Sequence, residues 1–189
     1  NPGCHSTAFI ALLRPLVDAG IVARDLPVTA TSITGYSGGG KKMIEEYQAA
    51  GRAALLDAPR PYGLKLSHKH VPEMMTYTGL TTKPVFMPIV GPFYKGLAVS
   101  VPLQLSQLKQ GTDGTALVRA FERHYEGERF IRVMPLSDPA ITEPSFFDVQ
   151  GSNDTNRIDI FVFADATQAI LIAREDNLGK GASGAAVQC

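Results

Sequence analysis

The order in which strands and helices follow one another limits the folds open to this chain more than any other feature of its sequence. Val28-Thr29-Ala30-Thr31-Ser32-Ile33-Thr34 is β-branched and partly alternating, which predicts a strand. A glycine-rich stretch follows, then a helix from Lys41 to Ala50 closed by Gly51. Residues 52–63 read as loop and Leu64 to Leu66 as a short alternating piece, with a helix over Val71 to Gly79 that has Pro72 in its first turn. Pro84 to Val90 and Leu97 to Leu105 read as two strands joined by a Gly-Pro turn region. Their alternation predicts one covered sheet face and antiparallel pairing. Prolines 84, 88 and 102 place these strands at ends, edges or bulges. An amphipathic helix spans Thr115 to Glu126, with Leu117, Val118, Phe121 and Tyr125 inward. Strands are predicted at Phe130 to Val133, Phe146 to Val149, Arg157 to Ala164 and Gln168 to Ala173, and a terminal helix of small residues at Ser183 to Cys189. Strands and helices mix without strand–helix–strand regularity, so the class is α+β.

With 189 residues, 44% of them hydrophobic, the chain can build one domain with a proper core. Its 18 Lys plus Arg balance 18 Asp plus Glu, so no net charge draws it to nucleic acid or an anionic membrane. No apolar run approaches the ~18 residues of a spanning helix. Charged and apolar signal-peptide regions are missing at the start, and two cysteines near opposite ends make no disulfide framework, so the expected location is cytoplasmic.

Pro2 and Gly3 break the backbone just before a helical pattern from His5 to about Ala19, which has a Pro15 kink and ends at Gly20. Cys4 therefore falls at or beside the first turn. Free N–H groups and the helix dipole favour a thiolate there, and the expected pKa is below the ~8.5 of a free thiol. A small buried thiol is the alternative. Cys189, at the far end of a helix, meets the opposite dipole and is assigned no catalytic role.

Asn1-Pro2-Gly3-Cys4-His5-Ser6-Thr7-Ala8, with the aliphatic run into Arg14-Pro15-Leu16, resembles the active-site signature of N-acetyl-gamma-glutamyl-phosphate reductases. Thr34-Gly35-Tyr36-Ser37-Gly38-Gly39-Gly40-Lys41-Lys42 is similar to the family's Ser-Gly-rich loop, and most like that of its shorter subfamily. His68-Lys69-His70-Val71-Pro72-Glu73 resembles its His-x-His-x-Pro-Glu motif, and residues 177–188 resemble its closing segment. All four matches arrive in family order and span the chain. The resemblance implies a mostly antiparallel mixed sheet flanked by helices, like the catalytic domain of glyceraldehyde-3-phosphate dehydrogenases. It also implies NADPH-dependent reduction of an acyl phosphate through a cysteine thioester in arginine biosynthesis. Relatives of this kind carry a dinucleotide-binding domain before the motif, and no Gly-x-Gly-x-x-Gly after a strand is present here. Residues 1–189 are therefore expected to be the catalytic and dimerisation part, inactive alone, with that N-terminal domain and a second copy as partners.

Within this reading Cys4 is the nucleophile. His5 is set aside because adjacent helical side chains diverge, and His124 because it lies on a polar helix face. His70 or His68 then serves as the acid/base, with His70 favoured. No third ligand cluster accompanies this pair, so no metal is expected. Ser37, Gly38, Gly39, Gly40 and Lys41 are candidates for holding the anionic substrate. Gly181 and Gly184 are candidates for close approach to NADP or the preceding domain, with Ala182, Ala185 and Ala186 as an exposed small-residue face. An aspartate-semialdehyde dehydrogenase-like reductase and a non-catalytic oligomerisation or binding module are the rival readings.

Overall fold

In the computed structural model, which describes residues 1–143 and 145–188, the first helix, α1 (Cys4–Asp18), runs through the centre of the core. Ala8, Phe9, Leu12, Leu13 and Leu16 are all fully buried on it. A helix apolar on most sides needs neighbours on most sides. It finds them in α3 (Val71–Thr78), α4 (Gly114–His124) and the strands β4 (Leu97–Gln104) and β7 (Gln168–Glu175). Pro15 lacks an N–H, so the carbonyl of Ala11 loses its partner within the helix. The Tyr125 hydroxyl donates to that carbonyl at 2.8 Å.

The other strands are β1 (Thr29–Gly35), β2 (Arg60–Pro61), β3 (Val85–Gly91), β5 (Ile131–Val133) and β6 (Ile158–Ala164). With β4 and β7 they form one sheet in the order β2-β3-β1-β4-β7-β6-β5. β1 pairs parallel with β3, Thr29 opposite Val85, and β5 pairs parallel with β6, while the remaining pairings are antiparallel. The α+β class and the mostly antiparallel sheet are borne out. The hairpin of consecutive strands is not: β1 lies between β3 and β4 and pairs with both. Thr29 to Gly35 run along β3, and Thr31 to Thr34 run along β4 on the other side.

Three local expectations also fail. Leu64 to Leu66 is a turn, closed by Leu66 N–H to the Gly63 carbonyl at 2.9 Å. Residues 146–149 form no strand; Phe147 instead sets its ring edge-on to Phe161 at 5.0 Å, with the Arg174 guanidinium over both rings. Between β5 and β6 lies a short helix, α5 (Pro139–Thr142), capped by the Asp138 side chain. The segment after β7 is a π-helical turn, Gly179–Ser183, running into α6 (Gly184–Gln188), where Ala185 is buried rather than exposed. Cys189 lies outside the described residues.

The helices cover one sheet face. On the other, Val85, Met87 and Ile170 are exposed, and fully buried Asp159 accepts hydrogen bonds from Arg132, Arg157, Arg174 and Ser152. Among the described residues no helix is long and apolar enough to cross a membrane. Removing the Tyr125 hydroxyl leaves the Ala11 carbonyl unsatisfied inside the core, so Tyr125→Phe is expected to cost about 1–3 kcal/mol. A urea midpoint equal to that of the parent would show that the contact carries no stability.

Candidate active site

Gly3 has no side chain, and the ring of His70 occupies the place where one would be: a Cβ there would fall within that ring. The Gly3 N–H donates to the Glu73 carboxylate at 3.0 Å, and the Ser6 hydroxyl donates to the same oxygen. Glu73 thus caps the start of α1 from a different helix, a task usually done by the N-cap residue's own side chain. Burial raises the Glu73 pKa, but the Ser6 and Gly3 hydrogen bonds more than offset this and hold it below the usual carboxylate range. Pro72 in the first turn of α3 and His70 as its N-cap fix the histidine segment against this point.

Three donor atoms converge as a result. The Cys4 sulfur and one ring nitrogen each of His5 and His70 lie within 4.8 Å of one another. Adjacent helical side chains are expected to diverge, but the His5 ring swings into the same cluster as Cys4. Its two nitrogens meet the Ser32 hydroxyl and the Tyr62 hydroxyl, each at 2.8 Å. Three such donors match the number of protein ligands in an open zinc site, but both His5 nitrogens are held by hydroxyls, which leaves two free to bind. His68 stands behind, its Nδ1 accepting the His70 backbone N–H at 3.2 Å and its ring edge-on to that of His70 at 4.8 Å. His70 Nδ1 is buried and has no hydrogen-bond partner among the described residues.

Electrostatics differ from the sequence expectation. Burial, with Glu175 adding to it, pushes the Cys4 thiol up to about 12, against the smaller help of the His5 and Cys4 amides and Lys69. Desolvation outweighs the helix terminus, and the Cys4 sulfur rests as a thiol. Burial and the neighbouring histidines lower His5 to about 3 and His70 to about 4, and burial also lowers His68. All three imidazoles are neutral at pH 7.

The cleft in front of Cys4 encloses about 390 Å³. Its opposite wall is Ser37, Gly38 and Gly39 in a 3₁₀ turn, then Gly40 opening α2 (Gly40–Gln48). Asn177 ties this loop down, its amide donating to the Ser37 hydroxyl at 3.0 Å and its carbonyl accepting the Gly96 N–H at 2.8 Å. Lys41 is not part of the wall; it is exposed and pairs with Glu45 at 3.8 Å. Lys69, between the two histidines, lines the cleft instead. A larger open groove of about 920 Å³ beside α4 contains no cysteine. Of the two glycines expected to approach the cofactor or the preceding domain, Gly181 lines the cleft and Gly184 does not. A Cβ on Gly181 would meet Cys4 Cβ and Glu175 Oε1, each at 2.7 Å, and one on Gly184 would meet Asn156 and the Gly179 backbone. Both glycines serve the chain's own packing. Sequence reading set His5 aside and did not single out Tyr62, Lys69, Asn177 or Glu175; of these, His5, Lys69 and Asn177 lie inside the motifs quoted above.

Residues 4–177 match the family model described as the semialdehyde dehydrogenase dimerisation domain. The chain belongs to that family. Among curated proteins similar to this semialdehyde dehydrogenase domain, one named N-acetyl-gamma-glutamyl-phosphate reductase 2 from a Nostoc species is 43% identical over 195 residues. One named N-acetyl-gamma-glutamyl-phosphate reductase from a Chelativorans species is 48% identical over 192. All of this chain is covered in each, but only 61% of the relative, so the chain spans about three-fifths of the length of the proteins it matches. The resemblance read from the four motifs is borne out. Among solved structures, aspartate semialdehyde dehydrogenase II from Vibrio cholerae superposes with a TM-score of 0.69 at 20% identity, covering all of this chain and 59% of that one. A probable aspartate-semialdehyde dehydrogenase from Pseudomonas aeruginosa gives 0.69 at 17% identity, covering 100% and 60%. At such identities the likeness is one of fold.

The histidine pKa values set a pH dependence. Both His5 and His70 titrate lower when folded than the ~6.5 of an unfolded chain, so below that pH the unfolded chain binds protons the folded one refuses. Stability is therefore fully present above about pH 6.5 and falls on acidification toward pH 4, by up to about 1.4 kcal/mol per pH unit for each imidazole. Urea midpoints measured at intervals from pH 7 to 4.5 should decline, and His5→Gln should flatten the decline.

Proposed function

We propose that this chain is the catalytic part of an NADPH-dependent N-acetyl-gamma-glutamyl-phosphate reductase acting in arginine biosynthesis. One observation carries the reading: the Cys4 sulfur and a His70 ring nitrogen lie within 4.8 Å on a cleft wall that faces the Ser37–Gly40 loop. The names of the relatives that match the whole chain support the substrate class.

In this reading His70, neutral because it is buried, takes the proton from the Cys4 thiol as the sulfur attacks the acyl carbon. The C–S bond forms, the bond from carbon to the phosphate oxygen breaks, and phosphate leaves with that electron pair. A thiol held near pKa 12 needs this base at the moment of attack, since little thiolate exists beforehand. His68 accepts the His70 amide and orients the segment. The backbone N–H groups of Gly38 and Gly39 and the Lys69 ammonium face the substrate's negative charges, while those of Ser37 and Gly40 are held by the Tyr94 and Ser37 carbonyls. A nicotinamide cofactor, when bound, would supply the hydride that completes the reduction, and a nucleotide-binding domain outside these residues would hold its dinucleotide. The family's description as a dimerisation domain, with Val85, Met87 and Ile170 uncovered, supports a second copy on that sheet face.

In the full-length protein, assayed with N-acetyl-glutamate semialdehyde, phosphate and NADP, Cys4→Ser should abolish turnover. His70→Asn should lower kcat/KM by about 10²–10⁴, and His68→Asn by less. Undiminished turnover in Cys4→Ser, or preference for aspartate semialdehyde, would overturn the reading.

A further inference from the structure

The alternation of β7 turns Ala169, Leu171 and Ala173 into the core, and each is buried. The next residue on that face is Glu175. It is fully buried, stands opposite Leu97 of β4, and neither of its carboxyl oxygens has a hydrogen-bond partner among the described residues. A position that the pleat reserves for an aliphatic side chain holds an acid, and buried polar atoms left unpaired are uncommon in folded proteins. Gly181 gives it room: the space its missing Cβ would occupy is bounded by Glu175 Oε1 on one side and Cys4 Cβ on the other. Glu175 does not line the cleft, so it does not reach a substrate there.

We propose that Glu175 is a positioning residue acting on the nucleophile: it shares one dry wall with Cys4, so that only one of the two carries negative charge at a time, and Cys4 gives up its proton readily only while the carboxyl keeps its own. The proposal rests on Cys4 being the nucleophile. The groups facing the pair are few. Lys180 of the π-helical turn and Asp176 next in sequence act on Glu175, and β4 offers only Leu97 across the ladder. Lys69, His5 and His70 surround Cys4 from the other side, and the Tyr62 hydroxyl lies close enough to feel its charge. Burial holds Glu175 well above the usual carboxylate range, with Lys180 opposing and Asp176 adding to the effect. Two like charges in a low-dielectric pocket titrate as a coupled pair, in two separated steps.

The test is the rate of Cys4 alkylation by iodoacetamide as a function of pH, without substrate, in the parent, Glu175→Gln and Glu175→Leu. Both variants remove the competing charge, and the alkylation midpoint should move down by about one pH unit, about tenfold faster labelling at a fixed pH below it. A midpoint unmoved or raised in either folded variant overturns the proposal. Should neither variant fold, infrared titration of the parent decides. The carboxyl C=O and thiol S–H bands must disappear in separate pH ranges, and joint loss in one narrow range is fatal. Because alkylation needs no substrate, this outcome is independent of whether Cys4→Ser abolishes turnover.

Discussion

The contact on which the site depends is that between the bare α-carbon of Gly3 and the His70 ring, locked by Glu73. α1 and α3 have no covalent reason to meet at this angle. Glu73 takes the first N–H of the helix start and the Ser6 hydroxyl together, and so pins the N-terminus of one helix to the flank of the other. An N-cap supplied from across the core does two tasks at once. It satisfies an orphan donor and sets the separation between sulfur and imidazole. Gly181 repeats the device on the far side, letting the turn after β7 close over Cys4 without a side chain in between.

Competing electrostatic effects decide the state of the Cys4 sulfur. The helix terminus offers Cys4 its amide groups, an effect of about 0.3–1 kcal/mol for an exposed charge. Burial works against it and prevails, which is why the thiol is held near 12. Burial has the opposite sign for imidazole, so the pressure that keeps the sulfur protonated keeps His70 unprotonated and able to accept. One desolvated pocket thus sets both groups in the states that the proposed general-base attack requires, at the cost of stability in acid.

Much of this was legible in the sequence because it followed from local backbone chemistry. Pro2-Gly3 before an aliphatic run places Cys4 at a helix start; Pro72 opens α3; Gly79, at φ +78°, ends it. The order of strands was not legible. Alternation in Pro84–Val90 and Leu97–Leu105 reports a covered face, not a neighbour, and the neighbour, β1, lies fifty residues and more upstream. Phe146 to Val149 looked like a strand because aromatic residues favour strands, but Phe147 packs edge-on under Arg174, a tertiary contact without a local signature. In the site, the motifs marked Cys4, His68, His70 and the Ser37–Gly40 loop. Lys41 read as an anion ligand from its place beside glycines, yet the first turn of α2 points it to solvent, and Lys69 lines the cleft instead. Glu175 escaped notice because the apolar alternation was ended at Ala173, one inward position too soon.

The wall behind Cys4 is made from the end of β7 and the turn that follows, so it is among the last parts of the domain to leave the ribosome. At about 5–20 residues per second, roughly ten to thirty-five seconds separate the synthesis of Cys4 from that of Gly181. Throughout that interval the sulfur is an ordinary solvent-facing thiol, open to peroxide and to stray disulfide exchange. Once the closing turn seats, the raised pKa leaves little thiolate for oxidation, although the sulfur still lines the cleft. The fold therefore acts on this cysteine as a protecting group applied at the end of translation.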